Sequence, residues 1–377
     1  MENKKKARRS AFQKTKKQPE WRRVQKENKF KRWFVRISFA ALSLLIVFLS
    51  YQFWNFLSFV KSPLSQAPNT SAKSYVWDGK HQLNFLLLQF DDLEKTDGKI
   101  VFASLAFFDP ASSRLRFLII PVDISFLAQD SYITLQNCSN PTQNIDLLLE
   151  IISENLALPI DGYLVTDQRG LNVINADIRY DRAQGFEDGF GDWQQALFSW
   201  RNLLHLKRLK TDLYQYVWTD FSPQEIFALL GGVRTINPQD SSFFEIKANL
   251  TLEQNLPQIG KVVTIDTDAF DLLASKNFSE DAIQNERLTI EILNSTKISG
   301  LALETARLIK NMGGEVIEVG NQSERKTETY IEVFVDKPEN YYTLARFAQI
   351  LNCTVVNGNS EDQLRAQIRI VLGDSNQ

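Results

Sequence analysis

Residues 37–60 hold no charged side chain, and this run constrains the 377-residue chain more than any other feature of it. Eighteen of the 24 residues are apolar or aromatic; the rest are four serines, Gln52 and Asn55. A helix rises ~1.5 Å per residue, so the run reaches roughly 36 Å, enough to cross a ~30 Å hydrocarbon core with some tilt. Buried helices of soluble domains are usually shorter and carry a polar face. A cleaved signal peptide has a shorter apolar core and a small-x-small site, which residues 50–61 do not offer. The expectation is an uncleaved transmembrane helix over 36–61.

The flanks set its direction. Residues 1–36 carry 15 Lys/Arg against three acids, a net +12, whereas the whole chain is −2. A basic arm beside an acidic bulk puts the amino terminus in the cytoplasm, so the chain is expected in the cell membrane as a single-pass protein with its bulk outside. Residues 1–35 are too poor in aliphatic side chains to fold alone, and read as a cytoplasmic tail lying against anionic lipid. Nothing in the tail specifies nucleic acid, and no nucleic-acid partner is expected.

About 300 residues follow the anchor, enough for two domains with real cores. Cys138 and Cys353 cannot build a disulfide framework, and two histidines with no cysteine cluster leave no zinc cage. Residues 62–80, with Pro63, Pro68 and a Ser/Asn/Thr cluster, read as an exposed linker. From 81 to 276 apolar runs of strand length (83–90, 100–108, 115–121, 160–166, 243–248, 262–266) alternate with helical patterns. A helix over 145–156 is expected behind an Asn144 cap, with Leu147, Leu148, Ile151, Ile152 and Leu156 on one face. Another is expected over 194–209. Ser222-Pro223-Gln224-Glu225 is a capping box that starts a third. The polar, acidic residues 277–286 are read as a boundary. Beyond them strands at 288–293, 316–319, 330–335, 354–356 and 368–372 enclose helices over 301–312, stopped by Gly313-Gly314, and over 341–351. The expected class is α/β: a transmembrane helix, a mixed-sheet α/β domain and a small α/β domain.

The last segment, 287–374, resembles the LytR carboxy-terminal domain through Ile290-Glu291-Ile292-Leu293-Asn294-Ser295-Thr296, Gly300-Leu301-Ala302, Gly313-Gly314, Thr329-Tyr330-Ile331 and Val371-Leu372-Gly373-Asp374. Ser295 stands where that family usually has glycine. The domain at 81–276 resembles a worn LytR-CpsA-Psr domain. Asn84-Phe85-Leu86-Leu87-Leu88 is similar to its opening strand, followed by Asp91 or Asp92 at its acidic position. Ile119-Ile120-Pro121-Val122-Asp123 is similar to its serine-isoleucine-proline-arginine-aspartate motif; Ile160-Asp161-Gly162-Tyr163 and Thr219-Asp220-Phe221-Ser222 resemble later landmarks. The resemblance implies a phosphotransferase moving a glycopolymer from a polyprenyl-pyrophosphate carrier to the cell wall with magnesium. Such chemistry needs guanidiniums on the pyrophosphate and a carboxylate on the metal. Val122 replaces the motif arginine, and residues 99–102 lack the arginine-x-aspartate pair. The run from Gln195 to Arg201 aligns either with the arginine-rich catalytic stretch or with the helix after it.

Three readings follow. In the first the protein is a non-catalytic wall- or glycopolymer-binding scaffold, whose ligands are a cell-wall polymer or a polyprenyl-linked glycan and whose anionic groups would meet Arg114, Arg116, Arg201 and Arg208. In the second it is a divergent transferase with Asp91, Asp92 and Asp123 on magnesium and Arg201 on the phosphates; outside that reading no cofactor is expected. In the third it is an envelope sensor acting through its basic arm. Asn294, Ser295, Thr296 and Ser299, where a strand feeds a helix, form a further candidate anion site, with helix capping as the plain alternative.

Overall fold

The computed structural model describes residues 75–95, 97–128, 131–138, 145–178, 186–199, 211, 214–256, 260–358 and 365–374, with Val47, Ser50, Tyr51, Trp54, Ser65 and Gln66. The chain forms two units, residues 1–58 and 59–377. In the first, Val47, Ser50, Tyr51 and Trp54 are helical and exposed; the rest of the expected anchor and the whole basic tail lie outside the described residues. No helix among the described residues is long and apolar enough to cross a membrane.

In the second unit the chain first lays down β1 (Leu83–Phe90), β2 (Ile100–Asp109), β3 (Arg114–Ile120), the small hairpin β4 (Ser125–Ala128) and β5 (Ser131–Thr134), helix α1 (Ile145–Leu156), β6 (Gly162–Asp167), α2 (Gln168–Ile178) and α3 (Phe186–Leu197). It continues through β7 (Val217–Thr219), α4 (Pro223–Thr235), β8 (Ser241–Glu245), a second hairpin β9 (Thr251–Leu256) and β10 (Gly260–Ile265), α5 (Thr267–Asn277) and α6 (Asp281–Glu286). Six strands join in the order β7-β6-β1-β2-β3-β8. The middle of this sheet is buried on both faces, which is why β1 and β2 read as near-continuous apolar runs. Leu86, Leu88 and Phe90 of β1 with Ala103, Leu105 and Phe107 of β2 point into one core, shared with α1 and α5. Leu83 and Phe85 with Ala106 and Phe108 point into the other, under α4.

Helix α1 buries Leu148, Ile151, Ile152 and Leu156 as expected, with Ile145 in place of Leu147, which is exposed. The expected cap, Asn144, lies outside the described residues. The capping box is present as read: Ser222 Oγ accepts from the Glu225 amide, and Glu225 accepts from the Ser222 amide. Its second carboxylate oxygen accepts from the Trp77 amide at 2.8 Å. The expected linker is therefore part of the core at its end, for Trp77 is only 4% exposed and meets Phe108 edge-on. A helix was expected over 194–209; α3 covers only 194–197 of that span, starting earlier, and residues 200–210 lie outside the described set.

The carboxy-terminal body is built from β11 (Thr289–Asn294), α7 (Leu301–Asn311), β12 (Glu315–Asn321), β13 (Tyr330–Val333), α8 (Tyr342–Ile350), β14 (Thr354–Asn357) and β15 (Ile368–Leu372), in the sheet order β12-β11-β15-β13-β14. Alternate residues Ile290 and Ile292, Ile331 and Val333, and Ile368 and Ile370 fill its core. Gly313 has φ +102°, the left-handed turn that stops α7, and a Cβ there would meet Gln284 Cγ at 2.7 Å. Both cysteines are free and half-buried.

Residues 277–286 join the two sheets by packing between them. Glu280 is 1% exposed and Ser279 and Ile283 are buried. Arg346 of α8, also 1% exposed, donates through Nε to Glu280 (2.9 Å) and through its two Nη to both oxygens of Asp161 (2.6 and 3.0 Å), just before β6. Asp161 Oδ2 also accepts from the Asn84 amide at the second position of β1. Tyr342 donates its hydroxyl to Glu280 at 2.8 Å, and its ring stacks on His81 at 3.9 Å. On α7, Arg307 pairs with Asp271 of α5 and donates to the Asn155 carbonyl, and Asn311 donates to the Ala157 carbonyl at 3.2 Å.

Candidate functional site

Strands β1 and β6 run parallel, with Phe90 opposite Asp167, so their carboxyl ends share one edge of the sheet. In open α/β sheets that edge is where ligands usually bind. Two chain departures bring charge to it. After β1 the chain turns through Asp91 and Asp92 and returns at Lys99. After β6 it passes from Asp167 directly into α2.

Asp91 is a turn residue. Its carboxylate accepts from the amides of Asp92 (2.7 Å) and Lys99 (2.8 Å). Chiefly the Lys99 amide holds its pKa below the ordinary aspartate value. Asp167 is 2% exposed and caps α2, with Oδ1 accepting from the Gly170 amide at 2.7 Å. Its other oxygen accepts from Arg169, through Nε at 3.2 Å and Nη2 at 3.1 Å. Arg169 also donates to Asp92 Oδ1 at 2.8 Å and to Glu94 Oε2 at 3.1 Å. Three carboxylates from two chain segments thus face one guanidinium, and its pKa is raised above the ordinary arginine value by Glu94 first and then Asp167. Gly170 lets this first turn of α2 lie close to its neighbour, since a Cβ there would meet Thr166 Oγ1 and Tyr216 Cβ at 2.6 Å.

The sequence-derived candidates fall in different places. Asp91 and Asp92 lie on the edge described; Asp123, exposed in the loop after β3, is not part of the cluster. Arg114 and Arg116 do not reach it. Asp109 pairs with Arg114 and Ala103 with Ile120, so the arginines sit at the far end of the sheet, about 20 Å away at ~3.3 Å per residue. Arg114 pairs with Asp281 and Asp109. Arg116 is buried and donates to the Asn277 carbonyl at the carboxyl end of α5 and to Gln82, a structural role that suits a cation at a helix end. Burial, then Arg114 beside it, lowers its pKa. Arg201 and Arg208 lie outside the described residues.

In the carboxy-terminal body, the Asn294 carboxamide closes its own loop, accepting from Thr296 and donating to the Ile298 carbonyl. Ser295 Oγ donates to the Leu372 carbonyl and accepts from the Lys326 amide. Ser299 is exposed, and α7 starts behind Gly300 without a side-chain cap. Ser295 thus ties β11 to β15 and to Lys326, while Asn294 and Thr296 bond within the 294–298 loop.

Asp167 and Arg169 escaped the sequence reading, which ended the strand at Thr166. An Asp between a strand and a helical pattern is a cap signal that would have exposed both. The carboxylates do not fit a divalent metal: Arg169 already takes up Asp92, Glu94 and Asp167, and no group of three or more His, Cys, Asp or Glu able to hold a metal occurs among the described residues.

The carboxy-terminal body is the part of the chain that matches a known family model. Residues 287–375 match the family described as LytR cell envelope-related transcriptional attenuator. Among solved structures, TagV of Bacillus subtilis is similar at 13% identity and a TM-score of 0.42, covering 52% of this chain and 94% of that one. The Bacillus subtilis transcriptional regulator yvhJ is similar at 15% identity and a TM-score of 0.40, covering 52% and 94%. TagT bound to LI-WTA is similar at 13% and 0.35, covering 56% and 96%. No curated protein sequence matches the chain.

Proposed function

We propose that this chain is a membrane-anchored protein of the cell envelope whose outer part binds or scaffolds an envelope polymer without transferring it. The carboxy-terminal match and the motif resemblance supply the setting; the distribution of charge supplies the chemistry. Transfer from a pyrophosphate carrier gathers several cations around the leaving group. Here the strand-end site presents Asp92, Glu94 and Asp167 around Arg169, with Lys95 beside Asp92, an excess of negative charge. The other candidate cations among the described residues, Arg114 and Arg116, are bonded at the opposite end. The observation that carries the reading is Arg169 bonded to three carboxylates at the carboxyl ends of β1 and β6, beside the acidic position that the resemblance assigns to Asp91 or Asp92. Purified full-length protein, given a lipid-pyrophosphate glycan donor and a wall-derived acceptor, is expected to form no product while retaining polymer in a pull-down. Turnover that persists through purification overturns the proposal.

A further inference from the structure

We propose that Arg169 is a resident cation, doing at the carboxyl ends of β1 and β6 what a divalent metal would otherwise do, so that this edge is metal-independent. The proposal is compatible with the non-catalytic reading but is argued from the geometry of the edge itself.

Asp92, Glu94 and Asp167 carry like charges at short range, and Asp167 is buried. The burial of Asp167 favours a counter-charge within hydrogen-bond reach of its carboxylate. The guanidinium supplies it in fixed form: four N–H···O contacts of 2.8–3.2 Å reach three carboxylates from two chain segments. A magnesium ion there would need oxygens at about 2.0–2.1 Å in octahedral array. The guanidinium plane occupies that space and the inward-facing oxygens. Its anchorage is firm as well, because Arg169 lies in the first turn of α2, whose amino end Asp167 caps. The charge cannot be titrated away, unlike that of a lysine or histidine. Three further contacts show that the turn after β1 is shaped around this pairing: the Leu93 amide donates to Asp167 at 3.3 Å, the Glu94 amide to Asp92 at 3.0 Å, and Lys95 stands 3.8 Å from Asp92. Removing the guanidinium leaves oxygens converging from three carboxylates, and a divalent ion becomes the obvious replacement.

The test is thermal unfolding of full-length protein in detergent micelles, in chelator and in millimolar magnesium, manganese or calcium. Wild type is expected to unfold at the same temperature in all four. Arg169→Ala is expected to lose several degrees in chelator and regain most of them with manganese or magnesium; adding Asp92→Asn and Glu94→Gln to it should abolish that recovery. If Arg169→Ala does not fold, Arg169→Gln, which keeps the bulk, serves the same comparison. Stabilisation of wild type by magnesium overturns the proposal, and so does an Arg169 variant that metals leave unmoved. Turnover in the transfer assay would sink the non-catalytic reading alone; a metal response of wild type would sink the resident cation whatever the turnover.

Discussion

Arg346 is a buried guanidinium shared by two carboxylates. Asp161 and Glu280 both bond it, and Tyr342 and Gln349 complete the shell. Removing one partner of a buried ion pair costs about 3–5 kcal/mol, because the other charge is left in low dielectric. Arg346→Met is therefore expected to lower unfolding stability by roughly that amount in denaturant titration, and Glu280→Gln added to it should restore part of the loss. Glu280 also gives a pH signature. Burial, more than its neighbours, raises its pKa above the ordinary glutamate value. The folded state then holds that proton more tightly than the unfolded chain. Its contribution favours the fold at pH below the unfolded glutamate pKa and fades as pH rises through the raised folded value. Denaturation midpoints from acid to neutral pH should show wild type losing ground to Glu280→Gln as pH rises; a constant difference refutes the assignment.

At the scale of elements, the long strands and the capping box were legible because their signals are local. An apolar run of eight or ten residues declares a strand, and Ser222 with Glu225 three residues on declares a helix start. Strand β9 carried no such signal: Thr251-Leu252-Glu253-Gln254-Asn255-Leu256 is largely exposed and owes its conformation to pairing with β10. The burial of Trp77 was illegible for another reason, since its amide partner Glu225 is 148 residues away. The strand-end site was half legible. Asp91 and Asp92 stand out after β1, but Arg169 reaches Asp92 only because β6 lies parallel beside β1. Glu225 joins a local cap to this distant strap. Glu225→Ala is expected to cost about 2–4 kcal/mol, the sum of a lost cap and an orphaned buried amide, whereas Ser222→Ala should cost only about 1 kcal/mol. Equal losses in the two variants would show that the strap contact contributes nothing.

For residues 59–377 as a whole, the stretch 277–286 reads in sequence as a polar break and stands in the structure as a packed wedge. The stretch still separates the two sheets, but its acids at 280 and 286 are each used: Glu280 by Arg346 and Tyr342, Glu286 by the amides of Tyr342 and Thr343 at the start of α8. Limited proteolysis of the folded protein is expected to spare this stretch, and a chain ending at residue 286 should unfold at lower temperature than the full chain. Prompt cleavage between the two sheets, or an unchanged melting temperature, contradicts this. The wedge has a mechanical corollary. Arg346, seated beside the first residues of β1 and β6, couples the two sheets directly. A load applied to the carboxy-terminal one would turn the central strands with it, as a handle turns its blade.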